Sequence, residues 1–169
     1  MIQSVDPERS EAPHDFCQSL RHTGFAILTN PPIDTDLVER VYSGWFNFFQ
    51  HGDGQSYLFD STTHDGFIPI EQSETAKGYQ IADLKEMYHY YPHGRCPDAL
   101  RKPTQRLFDQ LLDLASTLLQ WIEQDLSAQE RAQLSEPLHQ MIQNSHHHLL
   151  RLLHYPPLSH ADRHSGAIR

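Results

Sequence analysis

Cysteine is nearly missing from this chain. Cys17 and Cys96 are its only two, far apart and in no CxxC or zinc-ligand spacing. That argues against a disulfide framework or a zinc knuckle, and makes a reducing, cytoplasmic compartment the default. Basic side chains are also scarce. Lys and Arg number 13 against 22 Asp and Glu, for a formal net charge of −9 with His neutral. A phosphate backbone is bound by clustered Lys and Arg, so the balance argues against a nucleic-acid partner and against an anionic membrane surface. Long apolar runs are lacking: none approaches the roughly 20 residues of a spanning helix. The opening MIQSVDPERSEAPHDF has no apolar stretch of the secretory kind. No Gly-rich phosphate loop, Ser-His-Asp arrangement or paired-carboxylate site stands out.

What is present suits a folded domain. The 169 residues amount to one domain or a large part of one, and 38% of them are hydrophobic. Eight Phe, seven Tyr and two Trp supply bulk for a core. Residues 1 to 13 are polar and read as frayed. His14 to Arg21 reads as a short helix with Phe16, Cys17 and Leu20 on one face, ended by Gly24. GFAILTN, residues 24 to 30, is a short apolar run between turn signals, as expected of a strand covered on both faces. Asn30-Pro31-Pro32 stops it. Asp34 or Thr35 caps a second helix to about Gln50, whose Val38, Val41, Tyr42, Trp45 and Phe49 form a core-facing stripe. Residues 51 to 80 are rich in Gly, Ser, Thr and Asp, with Tyr57-Leu58-Phe59 and Phe67 to Ile70 as short extended pieces. DLKEMYHYY, residues 83 to 91, is a strand or one turn of helix, and Pro92-His93-Gly94 and Pro97 mark a loop.

The strongest helical period runs from Asp98 to Asp125. Leu107, Leu111, Leu114, Leu118 and Ile122 lie on one stripe, with Phe108, Ala115 and Leu119 beside it. Ser127 or Ser135 caps one or two further turns to about Asn144, with Leu138, Met141 and Ile142 inward. HLLRLLHYPP, residues 148 to 157, reads as a strand. Period two places Arg151, Leu153 and Tyr155 on one face and Leu150, Leu152 and His154 on the other.

Thirteen His is a high count, and His is the commonest metal ligand. His160-Ala161-Asp162, with His164 behind it, has the letters of a facial iron triad. The segment SHADRHSG is polar and Gly-ended with no alternating apolar face, and His164 follows too soon to be a ligand from a distant strand. It reads as a solvated loop. Of the run His146-His147-His148, at most His146 and His148 could share an ion on a strand, and a solvated role is expected. No metal ligand is assigned in this chain.

The ordered set of short motifs resembles the iron- and 2-oxoglutarate-dependent oxygenases of the isopenicillin N synthase type. The pieces are Gly24-Phe25, the turn Asn30-Pro31-Pro32-Ile33, Phe48-Phe49, the DLKEMYHYYP segment as an Asp-x-Lys-Glu motif, and RLLHYPPL as a Tyr-Pro-Pro segment. The likeness covers nearly the whole chain in element order. It departs at Asn-Pro-Pro, where plant-type members carry Asn-His-Gly, and at Leu153, where they carry Asn.

The resemblance implies an α+β fold, with helices packed on a double-stranded β-helix (jelly-roll) core of which only the N-terminal part lies in this chain. Residues 1 to 169 would be one N-terminal region, with the catalytic jelly roll starting near residue 148 and incomplete. It implies Fe(II) and 2-oxoglutarate as cofactors and the hydroxylation or related oxidation of a small molecule. The family's iron ligands and its 2-oxoglutarate-gripping Arg follow the Tyr-Pro segment, so the 169-residue chain is expected to be inactive by itself and to aggregate through unpaired strand edges. Tyr155 matches the family's Tyr and Arg151 a basic residue four positions earlier; both carry over as cofactor-binding residues that hold a carboxylate. Their α-carbons would lie about 13 Å apart at roughly 3.3 Å per residue. Read without the resemblance, Arg151 pairs with Asp83 or Glu86 and Tyr155 is a core aromatic. Lys85 and Glu86 border the substrate side or form an exposed ion pair. A second class remains open: a non-catalytic interaction module or truncated paralogue.

Overall fold

The computed structural model describes residues 1–72, 84–143 and 145–157. Helix and strand are mixed. The chain divides into two compact units, Met1–Val38 with Arg106–His146, and Glu39–Gln105 with His147–Arg169. Among the described residues no helix is long and apolar enough to cross a membrane.

In the first unit, strand β1 (Ser4–Val5) pairs parallel with β2 (Ile27–Leu28), Ser4 opposite Ile27 and Val5 opposite Leu28. Helix α1 (Ala12–Thr23) carries a proline in its first turn, where the missing N–H costs nothing. It ends at Gly24, left-handed at φ 77°, whose N–H reaches the Leu20 carbonyl at 2.8 Å. Val5, Ala12, Phe16, Cys17 and Trp121 form the buried cluster, and Phe16 meets the Trp121 ring edge-on at 5.7 Å.

Two expectations fail here. The N-terminus is not frayed: Val5 is buried, and the Gln3 N–H donates to Ser19 Oγ, which in turn donates to the Phe25 carbonyl. Nor is GFAILTN a strand covered on both faces. Phe25 is 66% and Ile27 51% exposed, because a two-stranded ribbon has a single neighbour on which to lay one face.

Helix α3 (Asp98–Asp125) has the expected bounds and most of the expected stripe: Leu107 and Phe108 are buried and Leu118 and Ile122 pack on the core cluster. Leu111 departs from it at 38% exposure, and Thr104 and Trp121 are buried besides. Ser127 caps the single turn α4 (Ala128–Arg131) with a reciprocal box, Glu130 N–H to Ser127 Oγ and Ser127 N–H to Glu130 Oε2. In α5 (Leu138–Gln143), Met141 points outward at 40% exposure, against the expectation.

Helix α2 (Thr35–His51) starts at Asp34, whose carboxylate accepts from the Leu37 N–H at 3.0 Å. It buries Leu37, Val41, Trp45 and Phe48, while Tyr42 is 74% exposed. The buried stripe is therefore turned from the Val38–Tyr42 side toward Leu37 and Phe48.

The second unit is built on an antiparallel sheet in the order β3 (Gly66–Ile68), β4 (Glu86–Tyr90), β5 (Leu150–His154). Within DLKEMYHYY, Glu86–Tyr90 thus resolves as a strand. Trp45 lies on Tyr88 at 4.6 Å between ring centroids, and Phe48 meets Phe67 and Tyr88 edge-on at 5.9 and 5.7 Å. The Trp45 indole N–H donates to Thr104 Oγ at 2.9 Å, so the one polar atom of that ring is satisfied inside the core. The Gly- and Asp-rich stretch contributes a 3-10 turn at Gly54–Tyr57 and an isolated bridge from Leu58 to Phe67.

Candidate functional site: the open face of the three-stranded sheet

The β4–β5 register sets Glu86 opposite His154, Met87 opposite Leu153, Tyr88 opposite Leu152, His89 opposite Arg151 and Tyr90 opposite Leu150. Successive side chains alternate between faces. Tyr88, Leu152, Glu86, His154, Tyr90 and Leu150 therefore share the face on which the α2 aromatics lie. The opposite face carries Met87, His89, Arg151 and Leu153, with Tyr155 next along. Along β5 burial follows this alternation: Arg151, Leu153 and Tyr155 are exposed, while Leu150, Leu152 and His154 are half-buried. On β4 it does not, since Met87 is 3% exposed, so the face is open along β5 and covered at β4. Arg151 and Tyr155 thus lie on one face, as period two requires.

Arg151 does not pair with Glu86. That carboxylate points to the other face, where its Oε1 meets His154 Nδ1 at 2.7 Å. Among the described residues no ion pair or hydrogen bond holds the Arg151 guanidinium. Asp83 lies outside the described residues. Tyr155 is no core aromatic either, at 43% exposure. Glu86 is not part of an exposed ion pair, since its side chain is 14% exposed. A guanidinium and a phenol open to solvent on one face form a donor set suited to a carboxylate. Leu153 between them supplies apolar surface, and Phe59 packs its ring edge-on to His89 at 5.6 Å.

Iron is another matter. Among the described residues no group of three His, Cys, Asp or Glu side chains converges on one point. His146 and His147 are exposed and His148 half-buried. The described residues therefore do not fit iron. The motif His160-Ala161-Asp162 and His164 lie outside the described residues.

The cysteines carry no nucleophile chemistry. Both are buried and free. Burial pushes the Cys96 thiol up to about 11, and burial with the nearby Asp125 carboxylate raises Cys17. Thiols held protonated in this way are inert.

Sequence reasoning missed two polar constellations. One is Asp65 with Arg95. Asp65 is 1% exposed and takes the Arg95 side chain at 3.0 Å from Nε and 2.7 Å from Nη2 on Oδ1, the Arg95 backbone N–H on Oδ2, and Thr63 Oγ at 2.8 Å. Burial raises the carboxyl, but the Arg95 and Thr63 hydrogen bonds and the Arg95 charge outweigh it and hold Asp65 below its ordinary value. The pair closes the loop that feeds β3, and Arg95 Nη2 also reaches the Leu58 carbonyl at 2.9 Å. The only signal in sequence was Asp65-Gly66, which reads as an ordinary turn. The other is Glu86 with His154, legible only once the strand register is known.

No protein-family model matches the chain, and no curated protein matches it. Solved structures do. A proposed oxygenase from Shewanella oneidensis is 46% identical with a TM-score of 0.82, over 92% of this chain and 56% of that one. A Neurospora crassa protein, solved at full length in complex with alpha-KG, is 18% identical with a TM-score of 0.68, over 97% of this chain and 58% of that one. The second likeness is one of fold. The chain spans a little over half the length of both proteins.

Proposed function

We propose that this chain is part of a non-haem Fe(II), 2-oxoglutarate-dependent oxygenase that oxidises a small molecule, and that Arg151 and Tyr155 bind a carboxylate on the open face of the sheet. The 46% identity to a proposed oxygenase carries the reading, and the alpha-KG complex of a protein sharing the fold agrees with it. The exposed Arg151 guanidinium supplies the charge for one carboxylate and the exposed Tyr155 hydroxyl a second donor. With α-carbons about 13 Å apart at roughly 3.3 Å per residue, the two reach one ligand when Arg151 leans along β5. We place these strands in a double-stranded β-helix, the region 1–169 supplying its early strands and the helices outside it. The described residues do not fit iron, and no step is routed through it.

The test uses the natural gene product with Fe(II) and 2-oxoglutarate. Binding of 2-oxoglutarate and its conversion to succinate with oxygen uptake are expected. Arg151→Ala and Tyr155→Phe should each weaken 2-oxoglutarate binding by about tenfold, the loss of one good polar contact. No binding of 2-oxoglutarate by the natural protein in the presence of Fe(II) would remove the enzyme reading and leave the interaction module.

A further inference from the structure

The apolar pattern of β5 does not by itself choose a register. The strand reads Leu150-Arg151-Leu152-Leu153-His154, with leucine on both faces. A slip of one residue would turn Arg151 inward, and an unpaired buried guanidinium opposes that. A slip of two residues keeps every side chain on its own face. Tyr88 would then meet Leu150 in place of Leu152, apolar against apolar as before. This is the error that the hydrophobic pattern leaves open.

Glu86 is what changes. In the observed register it lies opposite His154, Oε1 to Nδ1 at 2.7 Å, with the two side chains 14% and 12% exposed. Slipped by two, it would stand opposite Leu152, a carboxylate largely out of water without its partner. His154 is held from other directions as well. Its ring stacks on Phe49 at 5.3 Å with the planes 13° apart, Phe46 meets it edge-on at 5.7 Å, and its Nε2 lies 3.5 Å from the Gln50 side-chain amide. When that amide donates to Nε2, the ring proton sits on Nδ1 and faces Glu86. A ring fixed on three sides cannot follow a sliding strand.

We propose that Glu86 and His154 form a register lock: positioning residues that set β5 against β4, and so place Arg151 opposite His89 with Tyr155 next along the same open face. Registry is the best-attested use of a buried polar pair. The functional consequence rests on the carboxylate-binding reading of that face. The lock itself is read from strand pairing alone.

The experiment is nuclear magnetic resonance on the isotope-labelled natural gene product without ligand. The unaltered protein shows cross-strand contacts between Met87 and Leu153. The double variant Glu86→Met with His154→Leu keeps volume and an apolar interior. It should show a second set of contacts, from Met87 to Arg151, at an intensity comparable with the first. The exchanged pair, Glu86→His with His154→Glu, should restore a single set. His154→Leu alone, which removes both the partner of Glu86 and the stack on Phe49, is the fallback should the double variant not fold, and should also show two sets. A single native set in the foldable apolar variant would overturn the proposal, as would mixed contacts in the exchanged pair. Addition of 2-oxoglutarate then tests the other reading: a locked register with no shift at Arg151 or Tyr155 in the natural gene product loaded with Fe(II) would remove carboxylate binding and leave the lock.

Discussion

Asp65 is the residue whose removal should cost the second unit most per atom. It is 1% exposed and accepts hydrogen bonds from both the side chain and the backbone of Arg95. Arg95 is 42% exposed at its side chain and can turn to water, so Asp65→Ala leaves no stranded cation. The loss reduces to charged hydrogen bonds, about 2–3 kcal/mol by urea unfolding. The pH dependence has a definite sign. Asp65 is depressed in the folded state, so its stabilisation is complete above the unfolded carboxyl value of about 3.9 and disappears as the pH falls through the folded value. Below about pH 4 the gap between the unaltered protein and Asp65→Ala should therefore narrow; a gap that stays constant to pH 2 would rule the mechanism out. Gly66, its neighbour, makes a second test. At φ 112° an added Cβ would sit 2.6 Å from the Tyr57 carbonyl and 2.9 Å from that of Leu58. At Gly24, φ 77°, nothing lies within 4 Å. Gly24→Ala should cost about 1 kcal/mol from backbone strain alone. Gly66→Ala should cost roughly 2 kcal/mol more from the added collision. Equal melting temperatures for the two variants would contradict this. Neither Asp65 nor Gly66 could be singled out in sequence, because a turn Asp-Gly looks alike whether or not a distant Arg closes over it.

At the scale of elements, legibility depended on how much the composition constrained the face. The bounds of α3, Asp98–Asp125, could be read because one helical period persists through them. Its buried side was legible in part: Leu107, Phe108, Leu118 and Ile122 lie inward as the stripe requires, whereas Leu111 does not. A period of 3.6 fits more than one stripe through so many leucines. The bulky Trp121 settles the matter in the structure: it is 9% exposed while Leu111 is 38% exposed. Trp121→Ala should therefore cost about 3–5 kcal/mol. Leu111→Ala should stay within about 0.5 kcal/mol. Chemical denaturation that ranks them the other way would show the first unit to be packed differently. Helix α2 was legible in part, with Val41 and Trp45 buried as expected but Tyr42 on the outside and Leu37 and Phe48 within. The faces of strand β5 were legible by period two, though the strand is Leu150–His154 and shorter than the 148–157 expected. The β2 region was not, because an apolar run looks the same whether one face is covered or two.

For the molecule as a whole, the order of soft motifs was the most informative feature, and it points the same way as the likeness to the proposed oxygenase from Shewanella oneidensis. The candidate site was half legible. Arg151 and Tyr155 could be placed on one face by period two, whereas their neighbours across β4 required the register. The sequence led us to expect unpaired strand edges, and along β5 that face is apolar and open. Leu153 is 48% and Tyr155 43% exposed, and among the described residues β5 pairs only with β4, leaving its other edge free. Free edges with apolar side chains recruit further strands. The 169-residue chain made by itself should accordingly associate in a concentration-dependent way, visible by sedimentation velocity at micromolar levels. Leu153 faces away from the α2 aromatics, so Leu153→Lys places a charge on the open side without touching the packed one. That substitution should shift the chain toward monomer and change its unfolding free energy by no more than about 0.5 kcal/mol. If the unaltered chain is monomeric at every concentration, the open face is not adhesive. If Leu153→Lys unfolds the protein, Leu153 is packed in solution and the face assignment of β5 is wrong, and with it the placement of Arg151 and Tyr155.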